Sequence, residues 1–163
     1  MSVQLELVQV ENPNELNLIF GQSHFIKTVE GLYECLVQSC PGIKFGIAFC
    51  EASGPCLIRT EGNDNELVTL ATKNAEKIAC GHSFIIFMKD AFPVNVLKSV
   101  QSVTEIVNIF AATANPLQVV VAKSEQGRGV MGVIDGFAPK GVETAEDKQK
   151  RTKFLRDIHY KLQ

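Results

Sequence analysis

The sequence predicts an α/β fold: a mixed β-sheet with helices packed on it, arranged as a layered α/β sandwich. Three observations predict it. Short runs of strand-forming residues alternate with longer stretches of helical periodicity through the middle of the chain. Gly, Pro and Asn punctuate the junctions between them. The 163 residues are 45% apolar and 21% charged, which suits one sizeable core and excludes the disordered, collagen-like and coiled-coil classes. The span 1–163 reads as a single domain without internal repeat or linker.

Residues 3–10 and 16–20 read as two strands separated by the turn Asn12-Pro13-Asn14. A helix from Phe25 to Gln38 follows, because Phe25, Val29, Leu32, Tyr33, Leu36 and Val37 share one face; Cys40-Pro41-Gly42 stops it. Residues 43–50 form a short apolar run suited to a buried strand, and Cys56–Thr60 forms another after a loop. Asn63 with Glu66 makes a capping-box pattern for a second helix, and Gly81 takes its C-terminal glycine position. Residues 83–88 are rich in strand formers. A short helix runs from Pro93 through Val103, and strands follow at 105–112, 117–123 and 128–134. Gly136, Pro139 and Gly141 keep 135–142 irregular, and a last helix covers Thr144–Tyr160.

The formal net charge of −2 gives no electrostatic footprint for nucleic acid or an anionic membrane. Lys148, Lys150, Arg151 and Lys153 lie among acids at helical spacing and read as a solvated helix face. No apolar run approaches the ~20 residues of a membrane span. The alternating start lacks the basic and apolar regions of a signal peptide and reads as an edge strand. The five cysteines show no CxxC, and the histidines show no zinc spacing. Reduced thiols in a cytoplasmic protein are the expectation, and a disulfide only if the source is a hyperthermophile.

Four places can carry chemistry. Gly127-Arg128-Gly129-Val130-Met131-Gly132 matches GxGxxG, but the following VIDGFAPKG cannot open the helix a dinucleotide site needs. The alternatives are a hairpin whose glycines supply room or positive φ, or a backbone surface that a ligand approaches closely, with Arg128 holding a phosphate. Gly81-His82-Ser83 places a histidine where a helix ends and a strand begins; a structural hydrogen bonder is the bland alternative. Glu51-Ala52-Ser53-Gly54-Pro55 closes the buried strand with a carboxylate and a hydroxyl. Lys44 and Glu51 are site charges or ordinary strand-end charges. Cys50 has no base partner at a recognisable spacing and reads as a buried thiol. Arg59 with Gly62-Asn63-Asp64 marks a helix N-terminus, where a plain capped helix competes with an anion site. No phosphate-binding GxxxxGK[ST] loop occurs.

Taken in order, the stretches FGQSHFIKTVEGLYE (20–34), GIKFGIAFCEASGPCLIRTEGNDNEL (42–67), GHSFIIFMKDAFPVNVL (81–97), IFAATANPLQVVVAKSEQGRGVMGVIDGFAPKGVE (109–143) and FLRDIHYKL (154–162) resemble the adenosine-specific kinases over about nine tenths of the chain. The resemblance implies an α/β fold around a mixed sheet, binding of adenosine or AMP, a phosphohistidine, and homo-oligomers that are trimers or paired trimers. It places the histidine at His82 and the ligand surface on Glu51, Ser53, Asn95, Lys123, Gly127, Arg128, Gly129 and Gly132. ATP is the expected phosphoryl donor, with a carboxylate such as Glu51 or Asp135 to take the hydroxyl proton or hold Mg²⁺; no nucleic-acid or membrane partner is expected. Strand directions sharpen this. If strands 56–60 and 83–88 run parallel and 43–50 runs against them, Cys50 and Glu51 share a sheet edge with His82, while Asn63 and Asp64 lie at the opposite edge. Two other functions compete with a kinase: a nucleotide sensor using the same pocket, and a small hydrolase using Cys50 or Ser53 with His82.

Overall fold

The computed structural model describes residues 2–162. The chain runs β1 (Gln4–Gln9), β2 (Asn17–Ser23), α1 (Thr28–Ser39), β3 (Lys44–Cys50), β4 (Ile58–Gly62), α2 (Asn65–Ile78), β5 (Ser83–Lys89), α3 (Pro93–Gln101), β6 (Ile106–Thr113), β7 (Leu117–Lys123), β8 (Arg128–Asp135) and α4 (Ala145–Asp157). A five-stranded sheet has the order β4-β3-β5-β2-β6, and a three-stranded sheet the order β1-β7-β8.

The α/β class and the packing of helices on sheet hold. The expected mixed sheet is replaced by two sheets whose hydrogen-bonded neighbours all run antiparallel. The directions inferred for the central strands are nevertheless right. Both β4 and β5 pair antiparallel with β3, which lies between them, so α2 joins two parallel strands that are not neighbours. The alternation of β3 and β5 sends their side chains to two cores. Ala48, Cys50, Ile85 and Phe87 meet α2 and the small sheet through Leu67, Ala71, Val119 and Val121. Phe45, Ile47, Phe49, Phe84 and Ile86 meet α1 and α3 through Leu32, Leu36, Val96 and Val100. α4 buries no residue; its Phe154 and the Ile158 that caps it border an apolar groove with Phe92 and Val94.

Several boundaries differ from the sequence expectation. α1 begins at Thr28, since Phe25 lies in a turn and is exposed. The cap of α2 is Asp64, whose carboxylate accepts from the Leu67 N–H at 3.1 Å. Asn63 is occupied elsewhere: its carboxamide accepts from Phe45 N–H (2.9 Å) and donates to Ile43 C=O (2.8 Å), extending the β3–β4 pairing with one donor and one acceptor. Glu66 reaches Lys89 instead of the cap. At the other end, Ala79 and not Gly81 takes the left-handed turn, with φ 48°. Gly81 is small for another reason: a Cβ there would stand 2.9 Å from the Ala52 Cβ.

Candidate functional site

Three chain segments meet at one end of the large sheet: the exit of β3, the entry to β5 and the β7–β8 hairpin. The exit of β3 and the entry to β5 are joined because the His82 N–H donates to Cys50 C=O at 2.7 Å, and the His82 carbonyl accepts from Ser23 N–H at 2.9 Å. His82 has φ 62° and is half-buried, its imidazole stacked on Phe49 with centroids 5.9 Å apart and planes 11° apart. Phe49 belongs to the core under α1 and α3, so the ring lies toward that face of the sheet.

Glu51 follows β3 directly. Its carboxylate accepts from Leu57 N–H at 2.8 Å and from Arg59 Nε at 2.9 Å, with Arg59 Nη2 also at 2.8 Å. The Leu57 N–H, and after it Arg59, hold this carboxyl below its ordinary range against the opposing effect of desolvation. Arg59 is thereby committed to Glu51, and not to an anion at the start of α2.

A cavity of about 690 Å³ opens beside these residues. Glu51, Gly81, Lys123, Gly127, Arg128 and Gly129 line it, joined by Cys50 and Cys56. Its size falls in the range of small-molecule sites. Arg128 reaches in from the start of β8, where Nε donates to Ile78 C=O at 3.0 Å and Nη1 to Glu6 Oε2 at 2.6 Å. Lys123 Nζ stands 3.5 Å from Glu6 Oε1. The hydrogen bond from Arg128 is the main cause holding the Glu6 carboxyl below its ordinary range. Burial raises the pKa of the Cys50 thiol and pushes that of Cys80 up to about 11.

The sequence-expected residues thus divide. Glu51, Lys123, Gly127, Arg128 and Gly129 converge on one cavity that Gly81 also lines, whereas the His82 ring is not on its wall and stacks on Phe49 toward α1 and α3. Ser53 lies in the exposed loop, not on the cavity wall. Gly132 lies further along β8, paired with Val120. Asn95 lies in α3, beyond the far end of β5, where Oδ1 accepts from Phe92 N–H at 2.8 Å. Lys44 starts β3 at that same far end. Asp135, at the last position of β8, accepts from Thr113 and Asn115 side chains away from the cavity. The GxGxxG segment is the turn and first part of a hairpin: Ser124 N–H donates to Gly127 C=O at 2.9 Å, and no helix opens on it. None of its three glycines has φ in the left-handed region, and a Cβ at each would meet nothing within 4 Å. Among the described residues, no three His, Cys, Asp or Glu side chains converge to hold a metal ion. No described helix is long and apolar enough to cross a membrane.

Glu6, which holds Arg128 and Lys123 without itself being on the cavity wall, is the partner residue that sequence reasoning missed. A signal existed: the alternation of β1 puts Glu6 on the same face as Val8 and Val10, which pack on the core, and a charge in that register needs a partner.

The comparisons with known proteins agree with this architecture. The family described as "Adenosine specific kinase" matches residues 8–161. The crystal structure of PH1918 protein from Pyrococcus horikoshii OT3 is 45% identical, covers 99% of this chain and 100% of its own, and superposes with a TM-score of 0.95. No curated protein matches the chain.

Proposed function

We propose that this chain, which belongs to the adenosine-specific kinase family, phosphorylates adenosine from ATP through a phosphohistidine on His82. The observation that carries this reading is the cavity that gathers Glu51, Lys123, Arg128 and the open backbone of Gly127 and Gly129 beside the Gly81-His82 junction. Open glycine backbone admits a flat base or ribose closely. With Glu6 paired to both, Lys123 and Arg128 leave one net positive charge beside the cavity, and phosphoryl transfer depends mainly on positioning and charge neutralisation. His82 also holds a left-handed backbone that Gly would adopt without strain. Keeping an imidazole there at a backbone cost favours a use for the side chain.

In this scheme a neutral ring nitrogen of His82 attacks the γ-phosphorus, and the bond from that phosphorus to the bridging oxygen breaks to release ADP. The 5′-oxygen of adenosine then attacks the phosphorus and the P–N bond breaks, which returns the neutral imidazole and leaves AMP. The hydroxyl proton passes to a phosphoryl oxygen or to solvent, because Glu51, with both oxygens engaged and its carboxyl held below the ordinary range, is a weak base. Mg²⁺ belongs to the ATP as substrate. Both Glu51 oxygens are engaged by Leu57 and Arg59, so the chain itself offers no ready resident ion site there.

Assembly into trimers or paired trimers is part of the same proposal. The outward face of the small sheet supports it, with Leu5, Leu7 and Met131 more than half exposed beside the unobstructed Gly129 and Gly132.

Intact-protein mass before and after ATP, with and without acid, tests the mechanism. The expected result is one acid-labile phosphate, absent in His82→Gln, with label from γ-labelled ATP reaching adenosine. A sensor is the second reading, favoured by the stacking of the His82 ring on Phe49 and its absence from the cavity wall. Adenosine binding without phosphate uptake or label transfer in the parent protein would establish the sensor.

A further inference from the structure

We infer that Glu6 is a specificity-determining residue: its carboxylate occupies the anion-binding ends of Arg128 and Lys123, so that the cavity favours the neutral nucleoside over its monophosphate. The inference rests on the reading of this cavity as the adenosine site.

The geometry is unusual for a phosphate cradle. Arg128 spends Nε on the carbonyl of Ile78, at the negative end of α2, and Nη1 on Glu6 at 2.6 Å. The other Glu6 oxygen faces Lys123 Nζ at 3.5 Å. One carboxylate therefore bridges both cations on the hairpin side of the cavity. Two positive charges become one in sum, and each bidentate edge of the guanidinium already has one donor committed, Nε to Ile78 and Nη1 to Glu6. A phosphate entering here must displace Glu6 or lie beside it; both weaken binding of an anion, whereas an uncharged ribose hydroxyl meets neither obstacle. The register of β1 fixes this arrangement. Glu6 pairs with Val121 across the β1–β7 ladder, which directs it inward between Lys123 and Arg128. For a kinase the consequence is directional: the acceptor enters easily and the charged product is expelled.

Calorimetric titration of adenosine, AMP and inorganic phosphate into the parent protein, Glu6→Gln and Glu6→Asp tests this. Glu6→Gln keeps a hydrogen-bond acceptor for Arg128 without the charge. AMP and phosphate are expected to bind Glu6→Gln on the order of tenfold more tightly, about 1.4 kcal/mol, with adenosine changed less than about threefold. Glu6→Asp, which retains the charge, is expected to keep the parent discrimination and serves as the check if Glu6→Gln misfolds: its AMP-to-adenosine ratio then has to match that of the parent. Unchanged or weaker AMP and phosphate binding in Glu6→Gln overturns the inference, because Glu6 would then only order Arg128. If the parent binds neither adenosine nor AMP, the adenosine reading fails on its own. The inorganic phosphate titration then still decides the role of Glu6, and phosphate binding to neither protein overturns it.

Discussion

Two glycine-bearing regions of this molecule show opposite uses of the same residue. Under the start of α2, Gly46 of β3 faces Gly62 of β4 across the ladder. A Cβ on Gly46 would lie 2.1 Å from Val68 N and 2.2 Å from Leu67 C, inside the backbone of the helix; one on Gly62 would lie 2.5 Å from the Phe45 oxygen. In the β7–β8 hairpin, a Cβ on Gly127, Gly129 or Gly132 would meet nothing within 4 Å. The first pair lets one element of the fold settle on another. The second group leaves a surface bare. Glycine in a strand is thus not one signal: it marks either a contact already made within the chain or a space kept for something outside it.

Gly46→Ala should break the first region most severely. The clash is with helix backbone, which cannot swing aside as a side chain does, so a loss of about 3 kcal/mol or more is expected. Urea unfolding checks it. A loss below about 1 kcal/mol would mean that α2 floats over β3 and that the contrast between the regions is weaker than the distances imply.

Asn63→Ala comes next. It would strip a partner from Phe45 N–H and another from Ile43 C=O, beside the same glycine pair, and should lower stability by about 1–3 kcal/mol. Asp64→Ala removes the actual cap and should cost about 0.5–2 kcal/mol. Both residues sit at the sheet end away from His82, so adenosine affinity should stay within about twofold of the parent in each. Calorimetry beside thermal melts separates the two effects.

These residues also mark how far the sequence could be read. Every strand and helix was legible from periodicity and turn residues, because the 2.0 and 3.6 repeats are set locally. The sheet edge shared by Cys50, Glu51 and His82 was legible too, because a short β3–β4 loop and a helical β4–β5 crossover dictate strand directions. The exchange of roles between Asn63 and Asp64 was not. Either residue can cap a helix, and only the approach of β3 assigns Asn63 to the ladder. Glu6 stayed hidden for the same reason: its partners Lys123 and Arg128 lie more than a hundred residues along the chain. Asn95 shows the converse, since a block can match a family while its elements send it to the opposite end of the sheet.

The Lys27–Glu105 pair gives a pH-dependent test on the packed side. The Lys27 ammonium, bonded at 2.9 Å, holds the buried Glu105 carboxyl below its ordinary range, and Glu105 raises Lys27 in return. For Glu105 the contribution is present above the unfolded carboxylate value, near 4.3, and is lost as pH falls through the depressed folded value. For Lys27 it is present below the unfolded lysine value, near 10.4, and is lost as pH rises through the raised one. Lys27→Met should therefore lower stability between about pH 5 and pH 10, with the gap closing toward both extremes. A gap that does not vary with pH would assign the loss to packing of the lysine stem.

The smallest effect on stability, and the sharpest on function, belongs to the hairpin. Gly129→Val and Gly132→Val add a strand-forming side chain into open space, so each should change monomer stability by no more than about 0.5 kcal/mol. Their consequences for ligand differ by position. Gly129 lines the cavity, so a branched side chain there occupies volume that the nucleoside needs and should weaken adenosine at least about tenfold, more than Gly42→Ala does at its distant turn. Gly132 lies off the cavity wall, so Gly132→Val acts on adenosine only if another copy of the chain covers that face. Titration together with light scattering separates the cases. Loss of affinity in Gly132→Val with a fall in molecular mass places a subunit boundary over the outer face of the small sheet. Normal affinity and mass in both variants would show that these glycines serve the hairpin alone, and the contrast with Gly46 and Gly62 would then be one of packing without any bearing on the ligand.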